Sequence, residues 1–267
     1  MELATVTTPA GTCAAVRLDD RWHALPASDL SELLASGADR VPGAELTDAV
    51  PTLPLPHPGK VVCCGLNYGD HITELGRDVP VHPTLFAKYA DTLLPDGADI
   101  VLPAGLQVDW EAELAVVVGA ELRHASALEA AGAIAGYTVA NDISVRDWQS
   151  RTLQWFQGKA WDATTPVGPV IVTPDEIDPV VGVEVICRVN GVERQRGDTK
   201  TLVFDCAALL AYISTFTVLR PGDVVLTGTP GGVGMGMDPP TYLADGDVVE
   251  TEIPDIGTLT NTVRLTA

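Results

Sequence analysis

Short apolar runs of β character dominate the pattern of hydrophobic positions along this chain. From residue 60 onward they recur at irregular spacing, separated by glycine and proline. The pattern predicts a mostly β core with a few helices. The runs are VVCCG, TLFAK, ELAVVVG, YTVAND, PVIVT, VEVICRV, DVVLTG and DVVETEI.

Three segments break this pattern with helical periodicity. ALEAAGAIAG (127–136) and FDCAALLAYISTF (204–216) predict helices that pack against the sheets. SDLSELLAS (28–36) predicts a shorter helix with a serine or aspartate cap. Two turn signals, Asn190-Gly191 and the stretch from Asp255 to Gly257, each predict a hairpin between flanking strands.

A proline-rich stretch, PTLPLPHPGK, divides the chain near residue 58 and has the composition of a linker. Residues 1–58 hold short β-like runs and the shorter predicted helix, so we expect a small N-terminal α+β region there. Residues 59–267 are expected to form the main domain, which is long enough to bury a sizeable core.

Net charge and apolar content limit the partners. With 16 basic and 36 acidic residues the formal charge is −20, which repels phosphate backbones and anionic lipids, so neither nucleic acid nor a membrane is expected as a partner. No run approaches the roughly 20 apolar residues of a membrane span, and the N-terminus lacks signal-peptide features. We therefore expect a cytoplasmic protein. The five cysteines lack zinc-site spacing and are expected to be reduced core thiols.

Carboxylates interrupt one otherwise apolar strand, VDWEAELAVVVG (108–119). Glu111 and Glu113 are two residues apart, so a strand would project both from one face. An isolated pair of this kind is most often the solvated start of a strand. Asp142, however, follows apolar residues in a second β-like segment, and a buried acid needs a compensating partner. Three carboxylates without histidine or cysteine match the ligand preference of Mg²⁺ or Mn²⁺ and argue against zinc.

A glycine-rich run, TGTPGGVGMG (227–236), could be mistaken for a phosphate-binding loop. It lacks both the Gly-Lys-Ser/Thr ending of such a loop and the dinucleotide glycine spacing. We expect no nucleotide, haem or zinc cofactor.

Five motifs occur in the order in which they are found in the fumarylacetoacetate hydrolase family. They are CGLNYGDHITE (64–74), VDWEAELAVVVG (108–119), GYTVANDISVRDWQ (136–149), GKAWD…PVGP (158–169) and PGDVVLTGTPGGVG (221–234). The chain resembles single-domain acylpyruvase and 2-hydroxyhepta-2,4-diene-1,7-dioate isomerase-like members, over roughly residues 55–260. The resemblance implies β-sheets rolled around a central site, and activity on β-dicarbonyl acids.

The same resemblance implies roles for individual residues. The metal ligands fall on Glu111, Glu113 and Asp142, which the strand argument also indicates. An Asp-His-x-x-Glu motif supplies His71 and Glu74. On a helical turn this spacing lets the carboxylate orient the imidazole and raise its basicity, so His71 is a candidate base for water.

Lys159 matches a family lysine that approaches the substrate's oxygens near the metal, where its charge suits a developing enolate. Arg146 and Asp147 are expected to form a structural pair. After TLFAK the chain departs from the family's Lys-Pro-x-Ser pattern, so one pocket wall is expected to differ. The expected substrate-binding residues are Gln149, Thr229, Asn67 and Tyr68.

The predicted function is hydrolysis of a C–C bond in a small β-diketo acid, such as an acylpyruvate or a fumarylacetoacetate-like compound, with one Mg²⁺ or Mn²⁺ per chain. One alternative is an oxaloacetate-type decarboxylase, or a keto–enol tautomerase or isomerase, that uses the same site. A second is a non-catalytic protein with a structural cation. The small oxo-acid substrate is the expected partner, and the resemblance implies a homodimer.

Overall fold

The computed structural model describes residues 1–69, 72 and 78–267. Eighteen strands and five α-helices lie wholly within these ranges. The strands are β1 (Glu2–Thr8), β2 (Gly11–Leu18), β3 (Arg21–Ala24), β4 (Val50–Pro51), β5 (Val61–Gly65), β6 (Thr84–Lys88), β7 (Leu93–Leu94), β8 (Ile100–Pro103), β9 (Val108–Asp109), β10 (Ala112–Val118), β11 (Ile134–Asn141), β12 (Ser144–Val145), β13 (Thr165–Val172), β14 (Glu184–Val189), β15 (Val192–Asp198), β16 (Val224–Leu226), β17 (Val248–Ile253) and β18 (Gly257–Thr266). The helices are α1 (Leu30–Ser36), α2 (Ala127–Gly132), α3 (Arg146–Gln149), α4 (Phe156–Lys159) and α5 (Cys206–Ser214).

The strands form three sheets. Among the described residues the largest has 11 strands, in the main order β3-β2-β1-β13-β11-β10-β16-β5-β6, with β4 beside β1 and β7 beside β13. A five-stranded sheet has the order β15-β14-β17-β18-β8, and β9 pairs with β12. Strands β10 and β11 contact β14 and β17, so the two larger sheets pack face to face. The predicted mostly β fold with few helices is confirmed.

Strand β10 is buried along its whole length, which explains its nearly unbroken apolar run. Leu114 and Val116 belong to the core cluster that also contains Val185 of β14. Ala115 and Val117 point to the other face, in the cluster that includes the leucines of α1. Both faces of the strand that contains Glu113 are therefore fixed by packing.

The two longer predicted helices are confirmed, and each is shorter than its predicted range. Helix α5 begins after Asp205, whose carboxylate accepts a hydrogen bond from the Ala208 N–H at 2.8 Å. Helix α2 begins with a capping box between Ser126 and Glu129. It ends at Gly132, short of the predicted range, because the following residues start β11.

Strand β1 connects the N-terminal region to the largest sheet. It pairs antiparallel with β13, where Glu2 faces Val172. The predicted short helix is α1, and Asp29 is its cap, accepting from the Glu32 N–H at 2.9 Å. The boundary at residue 58 stays a prediction, since the strands on its N-terminal side continue the sheet of the main domain.

Both hairpin predictions are confirmed. Asn190 and Gly191 join β14 to β15 with φ values of 53° and 75°, the left-handed conformation that a two-residue hairpin turn requires. The second turn joins β17 to β18, where Ile253 faces Gly257.

The cysteines agree with the expectation of reduced thiols that are mostly in the core. All five cysteines are free thiols, and four of them are buried. Within the described ranges, none of the helices has the length and apolar character that crossing a membrane requires.

We expect Asp205→Ala to lower the free energy of unfolding by about 1 kcal/mol, because the first turn of α5 loses the acceptor for a backbone N–H. Urea denaturation followed by circular dichroism measures this change. Asp205→Asn is the matched control, since its amide oxygen can accept the same bond. Equal stabilities for the alanine and asparagine variants would contradict the role of this cap.

Candidate active site

Two adjacent antiparallel strands bring three carboxylates together. Glu111 immediately precedes β10, Glu113 lies within it, and Asp142 directly follows β11. In this register the Asp142 N–H donates to the Glu111 carbonyl at 2.8 Å. One oxygen from each of the three side chains lies within 4.8 Å of the others. The structure thus brings together the three residues that the sequence indicated as metal ligands.

This donor set fits a divalent cation. All three acids are buried, and within the described residues the group contains carboxylates alone. Hard oxygen ligands of this kind suit Mg²⁺ or Mn²⁺ better than zinc. Glu111, Glu113 and Asp142 would hold such an ion.

Glu113 carries the least compensated of these charges. One of its oxygens accepts from the Gly228 N–H at 2.6 Å, and no salt bridge to it is found in the described part of the chain. Burial raises the pKa of Glu113 well above its usual range, and the charges of Asp142 and Glu111 raise it further. A cation bound between the three acids would relieve this repulsion, which supports the fit.

Lys159 bridges two of the acids. Its Nζ lies 2.6 Å from Glu111 Oε2 and 2.8 Å from Asp142 Oδ2. Burial by itself lowers the pKa of this ammonium, but the two carboxylates outweigh it and the pKa of Lys159 is raised. Burial likewise raises the pKa of Glu111, and the opposing charges of Lys159 and Arg146 bring it below its usual value. Lys159 therefore keeps its proton and acts as a donor.

Lys88 also belongs to this cluster, although the sequence analysis gave it no role. It ends β6, and its Nζ lies 2.5 Å from Asp142 Oδ1 with no exposed side-chain area. The sequence feature that could have identified it is its position, because this lysine, one of only four in the chain, is the last residue of an apolar β run. A lysine at the end of a buried strand needs an acidic partner, but sequence does not tell which one.

The expected pair of Arg146 with Asp147 is wrong. Arg146 instead places Nη1 2.6 Å from Glu111 Oε1 and Nε 2.8 Å from Asp109 Oδ2. Asp147 accepts from the Gln107 N–H at 3.1 Å. Neighbouring residues on a helical turn point in different directions, so adjacency in sequence did not make them partners. The Nη2 atom of Arg146 is buried and has no partner among the described residues.

These ion pairs form one continuous buried row in which the sign of the charge alternates. Each neighbouring pair is joined by a contact of 2.5–2.8 Å. Three acids and three bases balance within the row, and the charge of Glu113 is in excess of it. The row runs Asp109, Arg146, Glu111, Lys159, Asp142, Lys88.

Asn141, the last residue of β11, links the row to the five-stranded sheet. Its Oδ1 accepts from the Glu111 N–H at 2.9 Å, and its Nδ2 donates to Thr251 Oγ1 at 2.8 Å. Because Thr251 lies in β17, this side chain fixes the start of the acidic segment against the five-stranded sheet.

A cavity of about 350 Å³ opens beside the row. The described residues that line it are Gly65, Leu66, Phe86, Glu111, Arg146, Gln149, Ser150, Thr152, Leu153, Trp155, Lys159, Thr229 and Met235. Gln149 and Thr229, two expected substrate-binding residues, are in this lining. The Thr229 hydroxyl is already engaged, because it donates to the Ala112 carbonyl and accepts from Gln195 Nε2. Gln195, which the sequence analysis missed, thus ties β10 to the glycine-rich loop.

Asn67 and Tyr68 do not appear in the described lining of the cavity. Asn67 donates to the Phe204 and Thr227 carbonyls and accepts from the Phe204 N–H, so its amide holds main-chain groups. Tyr68 is buried, its hydroxyl has no partner among the described residues, and burial raises the pKa of its phenol. This geometry gives their predicted substrate contacts no support. His71 and Glu74 lie outside the described residues.

We expect Glu113→Gln to abolish the stabilisation of the protein by Mn²⁺. For the wild type, Mn²⁺ at about 100 times its Kd should raise the free energy of unfolding by about 2.7 kcal/mol. Without Mn²⁺ the variant should be at least as stable as the wild type, because it lacks the repulsion from Asp142 and Glu111. Thermal unfolding with and without Mn²⁺ measures both effects. A variant that still gains the full stabilisation would exclude Glu113 as a ligand.

This chain is similar to known proteins over most of its length. Residues 60–264 match the family model described as the C-terminal part of fumarylacetoacetate (FAA) hydrolase. Oxaloacetate tautomerase FAHD2A, a mitochondrial protein of Homo sapiens, is 43% identical over 233 residues, which are 86% of this chain and 73% of that protein.

Solved structures show the same similarity over the whole chain. The fumarylacetoacetate hydrolase of Exiguobacterium antarcticum is 35% identical with a TM-score of 0.89, and the match covers 100% of both chains. The 2-hydroxyhepta-2,4-diene-1,7-dioate isomerase of Mycobacterium marinum is 33% identical with a TM-score of 0.81, over 100% of this chain and 99% of that one. The chain therefore belongs to the fumarylacetoacetate hydrolase family.

Proposed function

We propose that this chain is a metal-dependent enzyme that interconverts the keto and enol forms of a small β-dicarbonyl acid. The observation that carries the proposal is the cluster at the cavity, where a protonated lysine and an arginine lie beside three carboxylates that suit a cation. The similarity to oxaloacetate tautomerase makes oxaloacetate the first substrate to test. It favours the tautomerase alternative over the C–C hydrolase that the sequence alone indicated.

A cation on Glu111, Glu113 and Asp142 would attract the oxygens of a 2-oxo acid and stabilise the negative charge of its enol form. Mg²⁺ and Mn²⁺ both fit the carboxylate donors. The alternative to catalysis is a non-catalytic protein with a structural cation. The open cavity, which Glu111, Arg146 and Lys159 help to line, argues against it.

The chain's own donors complete the binding of the acid. Lys159 keeps its proton and lines the cavity, so its Nζ can donate to the oxygen on which charge develops. Arg146 also lines the cavity, and its Nη2, which has no partner among the described residues, would donate to a carboxylate oxygen of the substrate. Its Nε and Nη1 are held by Asp109 and Glu111. Gln149 accepts from Arg146 at 2.9 Å and extends this polar wall.

Tautomerisation also requires a group that moves a proton between carbon and oxygen. Lys159 holds its proton too firmly to act as the base. Among the described residues no histidine lines the cavity. We therefore assign the proton transfer to His71, oriented by Glu74, from their place in the first motif.

Hydrolysis of a C–C bond is the second candidate. The similarity to the fumarylacetoacetate hydrolase of Exiguobacterium antarcticum favours it. In that reaction His71 would accept a proton from the attacking water, and Lys159 would donate to the substrate oxygen on which charge develops. Decarboxylation of oxaloacetate would use these donors as well, so only the products distinguish the reactions.

Two further predictions concern assembly and location. A homodimer is implied by the family resemblance, and light scattering in solution would test it. Cytoplasmic location stays a prediction, and the human relative described above is mitochondrial.

We expect Lys159→Met to lower kcat for oxaloacetate ketonisation by about 10²-fold, since it removes one donor to the developing charge. The decay of the enol's ultraviolet absorbance measures the rate. Lys200→Met is the matched control, because that lysine is exposed and pairs with Asp198 on the surface. A Lys159→Met enzyme that is folded and retains wild-type kcat would contradict the proposed contact.

We expect the Mg²⁺-loaded wild type to accelerate enol–keto conversion of oxaloacetate, and His71→Asn to lose this activity while it still binds Mn²⁺ in a calorimetric titration. Product analysis by NMR provides the discrimination. Cleavage of acylpyruvates to pyruvate and a carboxylic acid, without oxaloacetate conversion, would identify the hydrolase. Release of CO₂ from oxaloacetate as the main reaction would identify the decarboxylase.

A further inference from the structure

Charged and apolar side chains have exchanged their usual places around the cavity. Its floor is formed by Glu111, Arg146 and Lys159, which are 8%, 5% and 2% exposed. Its rim includes Leu153 and Met235, which are 99% and 43% exposed. Charged groups are normally exposed and large apolar groups normally buried. The apolar rim, defined here as Leu66, Phe86, Leu153, Trp155 and Met235, is therefore a surface that a ligand could cover.

An aromatic pair connects this rim to the charged floor. The rings of Phe86 and Trp155 meet edge to face, with centroids 5.7 Å apart. Lys159 Nζ lies 5.1 Å from the centroid of the Phe86 ring. Apolar surface thus begins directly beside the ammonium that we assign to the substrate's oxygen.

Gly65 provides the space that Trp155 occupies. A Cβ atom at position 65 would lie 2.4 Å from Trp155 Cζ3, which is too close for any real contact. Gly65 is not among the glycines with positive φ, so its backbone conformation does not demand glycine. The close approach of the indole explains this residue, and the rim is therefore built into the fold of β5.

We propose that the apolar rim binds an uncharged hydrocarbon or aryl tail, so the preferred substrates are 2,4-dioxo acids with an extended acyl group. This inference rests on the proposed function, because it takes the acid end of the substrate to be held at the floor. In oxaloacetate the corresponding end is a second carboxylate, which would lie among apolar side chains without a partner. A cavity of about 350 Å³ falls within the range of roughly 300–1,000 Å³ typical of small-molecule sites, so it has room for such a tail.

Binding of unreactive ligands tests the tail site separately from the reaction. The Mg²⁺-loaded protein is titrated calorimetrically with straight-chain 2-oxo acids, from 2-oxobutanoate to 2-oxooctanoate. We expect Kd to fall roughly fourfold for each added methylene, the equivalent of about 0.8 kcal/mol. Since no turnover is needed, the result does not depend on which reaction the enzyme catalyses.

Leu153→Asn is the first variant, because a side chain that is 99% exposed can be replaced without disturbing the core. We expect it to reduce the affinity ratio between 2-oxooctanoate and 2-oxobutanoate at least threefold. Leu128→Asn is the matched control: this leucine is 85% exposed on α2, outside the described lining of the cavity, and should leave the ratio unchanged. Gly65→Ala, checked for folding by circular dichroism, should reduce the ratio too by displacing Trp155.

The outcomes separate this inference from the proposed function. A steep dependence on chain length that Leu153→Asn weakens supports the tail site, even if no tautomerisation is found. Affinities within twofold of one another across the series overturn it, even if oxaloacetate is converted. Unchanged ratios in both Leu153→Asn and Gly65→Ala overturn it as well, and failure of every 2-oxo acid to bind overturns it together with the proposed function.

Discussion

Lys159 lies between Glu111 and Asp142, in contact with both carboxylates, at a depth where an unpaired charge would be strongly destabilising. The alternating row to which it belongs balances three acids against three bases inside the protein. Glu113 stands beside the row without a salt bridge in the described part of the chain, and burial together with the charges of Asp142 and Glu111 raises its pKa more than Lys159 and the Gly228 N–H lower it. The row therefore balances the buried charges of the site, while Glu113 adds a third carboxylate with which a cation could be held.

Strand register holds this arrangement in place. Because β10 and β11 are antiparallel and Ala112 faces Asn141, the residues just beyond this pair, Glu111 and Asp142, meet across the end of the ladder. Shifting the register by one residue would turn Glu113 away from the site. Such a shift is prevented because β10 is packed on both faces, and because Asn141 ties the acidic segment to β17.

The cavity combines this ionic floor with an apolar rim, and the two parts have different consequences. The floor holds the features shared by every reaction considered: a site for a divalent cation, a protonated lysine, and an arginine nitrogen without a partner among the described residues. In the proposed reactions the rim takes no part in forming or protonating an enol. Its chemistry bears on which acid binds, since apolar contacts stabilise a hydrocarbon tail, whereas a second charge would be buried there without a partner. Under the proposed function, reaction and substrate preference would thus be controlled by different side chains.

The sequence by itself determined the mostly β fold, the hairpins, the longer helices and the three acids, because strand alternation, turn residues and ordered motifs are local signals. Only the tertiary structure decided which charges pair. It joined Lys88 to Asp142 across 54 residues and Arg146 to Asp109 across 37, and it separated Arg146 from Asp147. It also took Asn67 into main-chain contacts and set Trp155 against Gly65. Pairing depends on distances between strands that are remote in the chain, and no local pattern encodes those distances.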